Sequence, residues 1–171
     1  MRILLFSDNH GEKDNILRII EQCEPLDRII SLGDSEMREK ELSDLGVFGV
    51  KGNYPFEPKF PYELNFYFEG VNCYFTHGHL YYVKSGTSRL LQKAYQNNYE
   101  IVAYGHTHKP FLEEISGIIM INPGALSTWR SNNNPTYALL EITEKLIKVT
   151  IYNVYQNVIK TLMKKRVNNG S

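Results

Sequence analysis

The chain is poor in the features that mark specialised protein classes. Its 171 residues include only 2 Cys. Cys23 and Cys73 stand fifty residues apart, match no zinc-ligand spacing and are too few for a disulfide framework, so they read as small core hydrophobes in a reducing cytoplasm. Net charge is also missing: 19 Lys plus Arg balance 19 Asp plus Glu. That balance excludes a surface holding nucleic acid chiefly by neutralising phosphates, although a small nucleotide substrate stays compatible with it. Long hydrophobic runs are absent as well. Ile3-Leu4-Leu5-Phe6 is too short for a signal segment or a membrane span and is followed at once by Asp8 and His10. No linker, repeat or low-complexity stretch divides the chain, and 42% hydrophobic residues suffice for a core. The expectation is one domain over residues 1–171, cytoplasmic, without a targeting segment or membrane association.

What is present is a regular alternation of apolar runs and polar loops. Residues 2–7 read as a buried strand ending in Ser-Asp-Asn-His-Gly, and Ile16, Ile19, Ile20 and Cys23 place a helix over 12–23. Strands at 28–32 and 47–50 end in Gly33-Asp34 and Gly52-Asn53. Alternation of Leu64, Phe66 and Phe68 predicts a strand whose hairpin partner, 71–75, ends in Thr76-His77-Gly78-His79. A helix over 86–98 and a strand over 100–104 lead to Gly105-His106-Thr107-His108. Strands follow at 111–115, 118–121, 136–143 and 146–153. Tyr155, Val158, Ile159 and Leu162 at i, i+3, i+4, i+7 predict a closing helix over 155–166, or a strand extension lying on the sheet. Strand–helix alternation followed by hairpins implies an α/β fold of two sheets packed face to face with helices outside.

The five histidines carry the functional signal. His10, His77, His79, His106 and His108 all fall in loops directly after predicted strands, where open α/β sheets gather their ligands. With Asp8, Asp34 and Asn53, and with His79 set aside, they make seven nitrogen and oxygen donors without a thiolate. Such a set suits Mn²⁺, Fe²⁺, Zn²⁺ or Co²⁺ better than a structural zinc. Seven donors exceed one open catalytic ion and match two ions sharing a carboxylate. Other roles are open to some of them: Asp8 and Asp34 as turn or helix caps, Asn53 as a turn residue before Tyr54-Pro55.

Ser7-Asp8-Asn9-His10-Gly11, Gly33-Asp34, Gly52-Asn53, Thr76-His77-Gly78-His79 and Gly105-His106-Thr107-His108 resemble the five blocks of the calcineurin-like metallophosphoesterases. With Asn122-Pro123-Gly124 and the short length, the chain is similar to the compact bacterial and archaeal phosphodiesterase branch, which is related to the small retromer subunit. The resemblance spans residues 1 to about 153. It implies a four-layer αββα sandwich of two mixed sheets and a dinuclear site. Asp8, His10 and His108 would hold one ion, Asn53, His77 and His106 the other, and Asp34 would bridge them. A water between the ions, acidified toward hydroxide, would attack phosphorus in line. Mn²⁺ is the expected ion, with Ni²⁺, Zn²⁺, Fe²⁺, Co²⁺ and Mg²⁺ as alternatives. The net charge of such a site, about +1, would attract a phosphate.

The sequence departs from the wider family after Gly52-Asn53, where Tyr54 replaces a histidine that can protonate a leaving group. Catalytic roles are expected for Asp34, Asn53, His77 and His79; His79 is a candidate acid, phosphate contact or support for a ligand. Tyr54 and Arg130 are the candidate substrate contacts, with Trp129 a possible stacking surface. The expected activity is hydrolysis of a small or cyclic phosphodiester such as a cyclic nucleotide. Phosphomonoester hydrolysis and a catalytically weak interaction scaffold are the alternatives, and self-association is left open.

Overall fold

The computed structural model describes residues 1–53, 59–128 and 134–167. Two mixed sheets face each other. The first has strand order β11-β10-β9-β1-β2-β3 and the second β4-β5-β6-β8-β7. In chain order the elements are β1 (Arg2–Phe6), α1 (Lys13–Cys23), β2 (Arg28–Ser31), α2 (Glu39–Asp44), β3 (Val47–Gly49), β4 (Glu63–Phe68) and β5 (Val71–Thr76). Then come α3 (Ser88–Asn97), β6 (Ile101–Ala103), β7 (Pro110–Ile115), β8 (Ile118–Pro123), β9 (Thr136–Ile142), β10 (Leu146–Asn153) and β11 (Val158–Lys165).

The two-residue period of a strand sorts the apolar side chains into three layers. Ile3 and Leu5 of β1, Val71, Cys73 and Phe75 of β5, and Ile119 and Ile121 of β8 meet between the sheets. Leu4 and Phe6, one residue out of phase, turn outward under Ile16, Ile19 and Cys23 of α1. On the far side Tyr74, Val102 and Met120 turn outward under Leu90 and Ala94 of α3. Each fully buried isoleucine or leucine contributes roughly 1.5–3 kcal/mol relative to an exposed one. The result is the expected αββα sandwich. Cys23 and Cys73 are both buried and free.

β1, β2 and β3 run parallel in the first sheet, and β5, β6 and β8 run parallel in the second. The loops after β1, β2, β3, β5 and β6 therefore open from the C-terminal strand ends of the two sheets. This brings the five polar blocks together.

The closing segment differs from the helical reading of 155–166. It contains β11, antiparallel to β10. Asn153 Oδ1 accepts hydrogen bonds from the backbone N–H groups of Tyr155 (2.9 Å) and Asn157 (3.1 Å), forming a turn that folds the chain back. Val158, Ile159 and Thr161 favour the extended backbone. The side chains that turn inward are Leu162, Lys164 and Arg166, so the strand's alternation is largely polar and does not show as a hydrophobic pattern. Lys164 Nζ donates to the Gly117 carbonyl (2.9 Å), and Arg166 donates to the carbonyls of Thr143 and Glu69. Among the described residues no helix is long and apolar enough to cross a membrane.

Candidate metal centre

The loop after β1 supplies Asp8 and His10, and the loop after β2 supplies Asp34. β5 is followed directly by His77, and the β6–β7 loop holds His106 and His108. Five of these six residues hold the left-handed backbone region: Asp8 (φ 54°), His10 (φ 43°), Asp34 (φ 52°), His106 (φ 70°) and His108 (φ 63°). The region costs a residue with a Cβ about 1–2 kcal/mol and persists only where surroundings enforce it. Here the enforcing contacts run between loops. The backbone N–H of Asp8 donates to the Gly33 carbonyl (3.0 Å) and that of His10 to the Asp34 carbonyl (3.2 Å).

Asp8, His10 and His108 form one group able to hold a cation, and Asp34, His77 and His106 form a second. In the first, His108 Nε2 lies 3.2 Å from Asp8 Oδ1 and 3.4 Å from His10 Nε2. His10 Nδ1 is 2.9 Å from Glu36 Oε1. A carboxylate only accepts, so Nδ1 carries the proton and Nε2 presents its lone pair inward. In the second group His77 Nε2 is 3.2 Å from Asp34 Oδ2, 3.2 Å from His106 Nδ1 and 3.1 Å from Asn53 Oδ1. His77 Nδ1–H donates to the Leu32 carbonyl at 2.7 Å, which fixes its tautomer in the same way.

Asp8 stands where the groups meet. Its Oδ2 accepts from Ser7 Oγ (2.5 Å) and from the backbone N–H of His106 (3.1 Å). Its Oδ1 is buried without a hydrogen-bond partner, 3.9 Å from the Nε2 atoms of both His10 and His77. A buried carboxylate oxygen facing imidazole lone pairs is costly unless a cation joins them. Both donor sets therefore fit a divalent ion bound by nitrogen and oxygen.

Two glycines make this approach possible. A Cβ on Gly52 would collide with Asp34 Oδ1, and one on Gly105 with Ser7 Oγ. Asn122, fully buried, ties down the histidine loop: its Nδ2 donates to the Gly105 carbonyl (3.2 Å) and to Thr107 Oγ1 (2.9 Å).

Electrostatics divide the histidines. Burial acts to lower the pKa of His77, but the Asp34 hydrogen bond and the Asp8 charge outweigh it and hold the value above the usual one. Burial, then the neighbouring His77 and the Lys84 ammonium, push His106 down to about 4. Burial and His77 also lower His79. His79 belongs to neither group. Its ring centroid is 5.4 Å from that of His77, and its Nδ1 is buried without a partner.

Asn53 lies beside the second group through its Oδ1, 3.1 Å from His77 Nε2. Tyr54, Trp129 and Arg130 lie outside the described residues. Glu36 and Ser7 are supporting residues that the reading of ligands alone does not single out. Glu36 stands two residues after Asp34, and a second acid so close to a ligand is the signal that would have found it.

Paired nitrogen–oxygen clusters at the strand ends of an αββα sandwich define the class, a metal-dependent phosphoesterase scaffold. The chain belongs to the calcineurin-like phosphoesterase superfamily, whose domain matches residues 1–145. It is 29% identical over 163 residues to the probable metallophosphoesterase YsnB of Bacillus subtilis, covering 95% of this chain and 96% of that one. It is 26% identical over 166 residues to phosphodiesterase MJ0936 of Methanocaldococcus jannaschii, covering 85% and 95%. Among solved structures, a predicted phosphoesterase from Streptococcus pneumoniae superposes with a TM-score of 0.85 at 27% identity, covering 96% of this chain and 97% of that one.

Proposed function

We propose that the protein is a dinuclear-metal-dependent phosphodiesterase acting on a small or cyclic phosphodiester. One observation carries this reading: two donor groups adjoin at Asp8, whose buried Oδ1 has no hydrogen-bond partner and faces imidazole nitrogens of both. In this assignment Asp8, His10 and His108 hold one ion, Asn53, His77 and His106 the other, and Asp34 is shared. Mn²⁺ is the preferred ion, ahead of Ni²⁺, Zn²⁺, Fe²⁺, Co²⁺ and Mg²⁺. Two cations held there would supply Lewis acidity for the phosphoryl oxygens and would lower the pKa of a nearby water.

The chain's own residues do the rest. Leu32 and Glu36 hold the Nδ1 protons of His77 and His10, so both rings aim Nε2 at the site, where at His77 a cation takes the place of a proton. His79, beside the second group with Nδ1 unpartnered, is assigned a contact with a phosphoryl oxygen or the departing group, or support of a ligand. Tyr54 and Arg130 are assigned to substrate on sequence grounds. The unperturbed pKa of tyrosine, near 10, makes Tyr54 a poor proton donor at neutral pH. Aryl phosphodiesters, whose aryloxide departs without a proton, are therefore expected to outpace alkyl ones, and Tyr54→His is expected to narrow the gap. Equal aryl and alkyl rates would contradict that role.

The diester preference is supported by the archaeal relative named a phosphodiesterase. The test is to strip the protein with chelator and titrate Mn²⁺, Ni²⁺, Zn²⁺ and Mg²⁺ against aryl mono- and diesters. Turnover of the diester with Mn²⁺ is expected. Two bound ions without turnover of either ester would favour the interaction scaffold, and faster turnover of the monoester would favour a phosphomonoesterase.

A further inference from the structure

An open cavity of about 620 Å³ lies against the β6–β7 loop. Its wall includes Tyr104, Thr107 and Lys109, which alternate along the chain with the two histidines of the metal centre, His106 and His108. Metal centre and cavity thus share one loop as their partition. Lys84 and Thr87, just ahead of α3, and Phe111 of β7 line it as well. The volume lies within the range of small-ligand sites, about 300–1,000 Å³.

The chemistry of the lining is specific. Lys84 and Lys109 are exposed, and among the described residues neither is ion-paired with a carboxylate. Both ammonium groups stand on the wall of one cavity, Lys109 directly after the metal-centre histidine His108. The same lining holds Tyr104, a buried aromatic, and Phe111, a half-buried one. Aromatic surface favours a flat ring, and ammonium groups favour a phosphate.

We infer that this cavity seats one ester arm of the substrate, an arm bearing an aromatic ring and a second phosphate held between Lys84 and Lys109. The substrate class is then a nucleotide-type phosphodiester with an additional phosphate, rather than a simple dialkyl or diaryl diester. This rests on the phosphodiesterase reading for the reaction, but not for the binding.

The test compares three probes with Mn²⁺-loaded protein: bis(p-nitrophenyl) phosphate, the p-nitrophenyl ester of thymidine 5′-phosphate, and the same ester carrying a 3′-phosphate. The last is expected to show kcat/KM about tenfold above the second, the worth of one charge-assisted contact. Lys84→Ala/Lys109→Ala should erase that tenfold difference, read as the ratio of the two thymidine esters, so that any change passed through His106 or His108 cancels. Phe111→Leu should raise KM severalfold for both thymidine esters only. Equal losses on all three probes, or no preference for the 3′-phosphate, would overturn the assignment. Calorimetry on chelator-treated protein separates the two readings. Thymidine 3′,5′-bisphosphate should bind, and bind at least tenfold more weakly to the double lysine variant but not to Lys40→Ala. Binding without turnover of any probe would sink the phosphodiesterase reading and keep the cavity; no binding, or equal loss in Lys40→Ala, would sink the cavity.

Discussion

The two ends of the sandwich both contain non-glycine residues in the left-handed region, but for different reasons. At the end away from the metal centre, Glu69-Gly70 joins β4 to β5 and Ser116-Gly117 joins β7 to β8, with φ of 51° and 78°, and 52° and 82°. A two-residue hairpin of type I′ holds positive φ at both central positions to match strand twist, so topology alone accounts for them. At the metal end, Asp8, His10, Asp34, His106 and His108 adopt the same region outside any such hairpin. Their conformations are imposed by hydrogen bonds between loops from different strands, including one across the two sheets from His106 N–H to Asp8 Oδ2. One end spends backbone strain on turning the chain; the other holds it to aim side chains.

The comparison is broken most severely by removing charge at the metal end. Asp34→Asn is expected to lower diesterase activity on the order of 10³-fold, as loss of a major electrostatic group does, and to reduce the number of bound ions. Full retention of rate would refute the shared-carboxylate assignment. Next come the clearance glycines. Gly52→Ala and Gly105→Ala force a methyl group against Asp34 and Ser7, so activity should fall about 100-fold or more, with weaker metal binding by calorimetry. Unchanged metal affinity in both would contradict the close packing described.

Glu36→Gln keeps the shape but weakens the acceptor for His10 Nδ1–H, and should reduce metal affinity about 10- to 100-fold while the fold persists. The pH dependence follows from His77. Its pKa is raised in the folded protein, so without metal its proton contributes stability that is full below about 6.5 and is lost as pH rises through the raised value. A cation must displace that proton. The gain in melting temperature on adding Mn²⁺ should therefore grow from pH 5 to pH 8, and a flat gain would exclude His77 as a ligand. The smallest effect belongs to the other end. Gly117→Ala meets no atom within 4 Å but sits at φ 82°, so it should cost about 1–2 kcal/mol of stability, read by denaturant unfolding, with activity unchanged.

Most of this arrangement is legible in the sequence. Apolar alternation in β1, β5 and β8, and the Ile16, Ile19, Cys23 face of α1, mark the layers because burial there is purely hydrophobic. The polar blocks mark the site because each follows a strand. What escapes the pattern has polar causes. β11 turns Lys164 and Arg166 inward, so its period of two is hidden, while Tyr155, Val158, Ile159 and Leu162 fit a helical face equally well. α2 is six residues with only Leu42 buried, too short to set a periodicity. The contacts of Glu36 and Asn122 depend on loops that meet only after folding.

The central claim, that loops of both sheets converge to hold two cations side by side, is tested most directly by counting ions. Chelator-stripped protein reconstituted with Mn²⁺ and freed of excess should contain two ions per chain by elemental analysis, and one or fewer after His77→Ala. A folded wild-type protein that binds a single ion at saturation would contradict it.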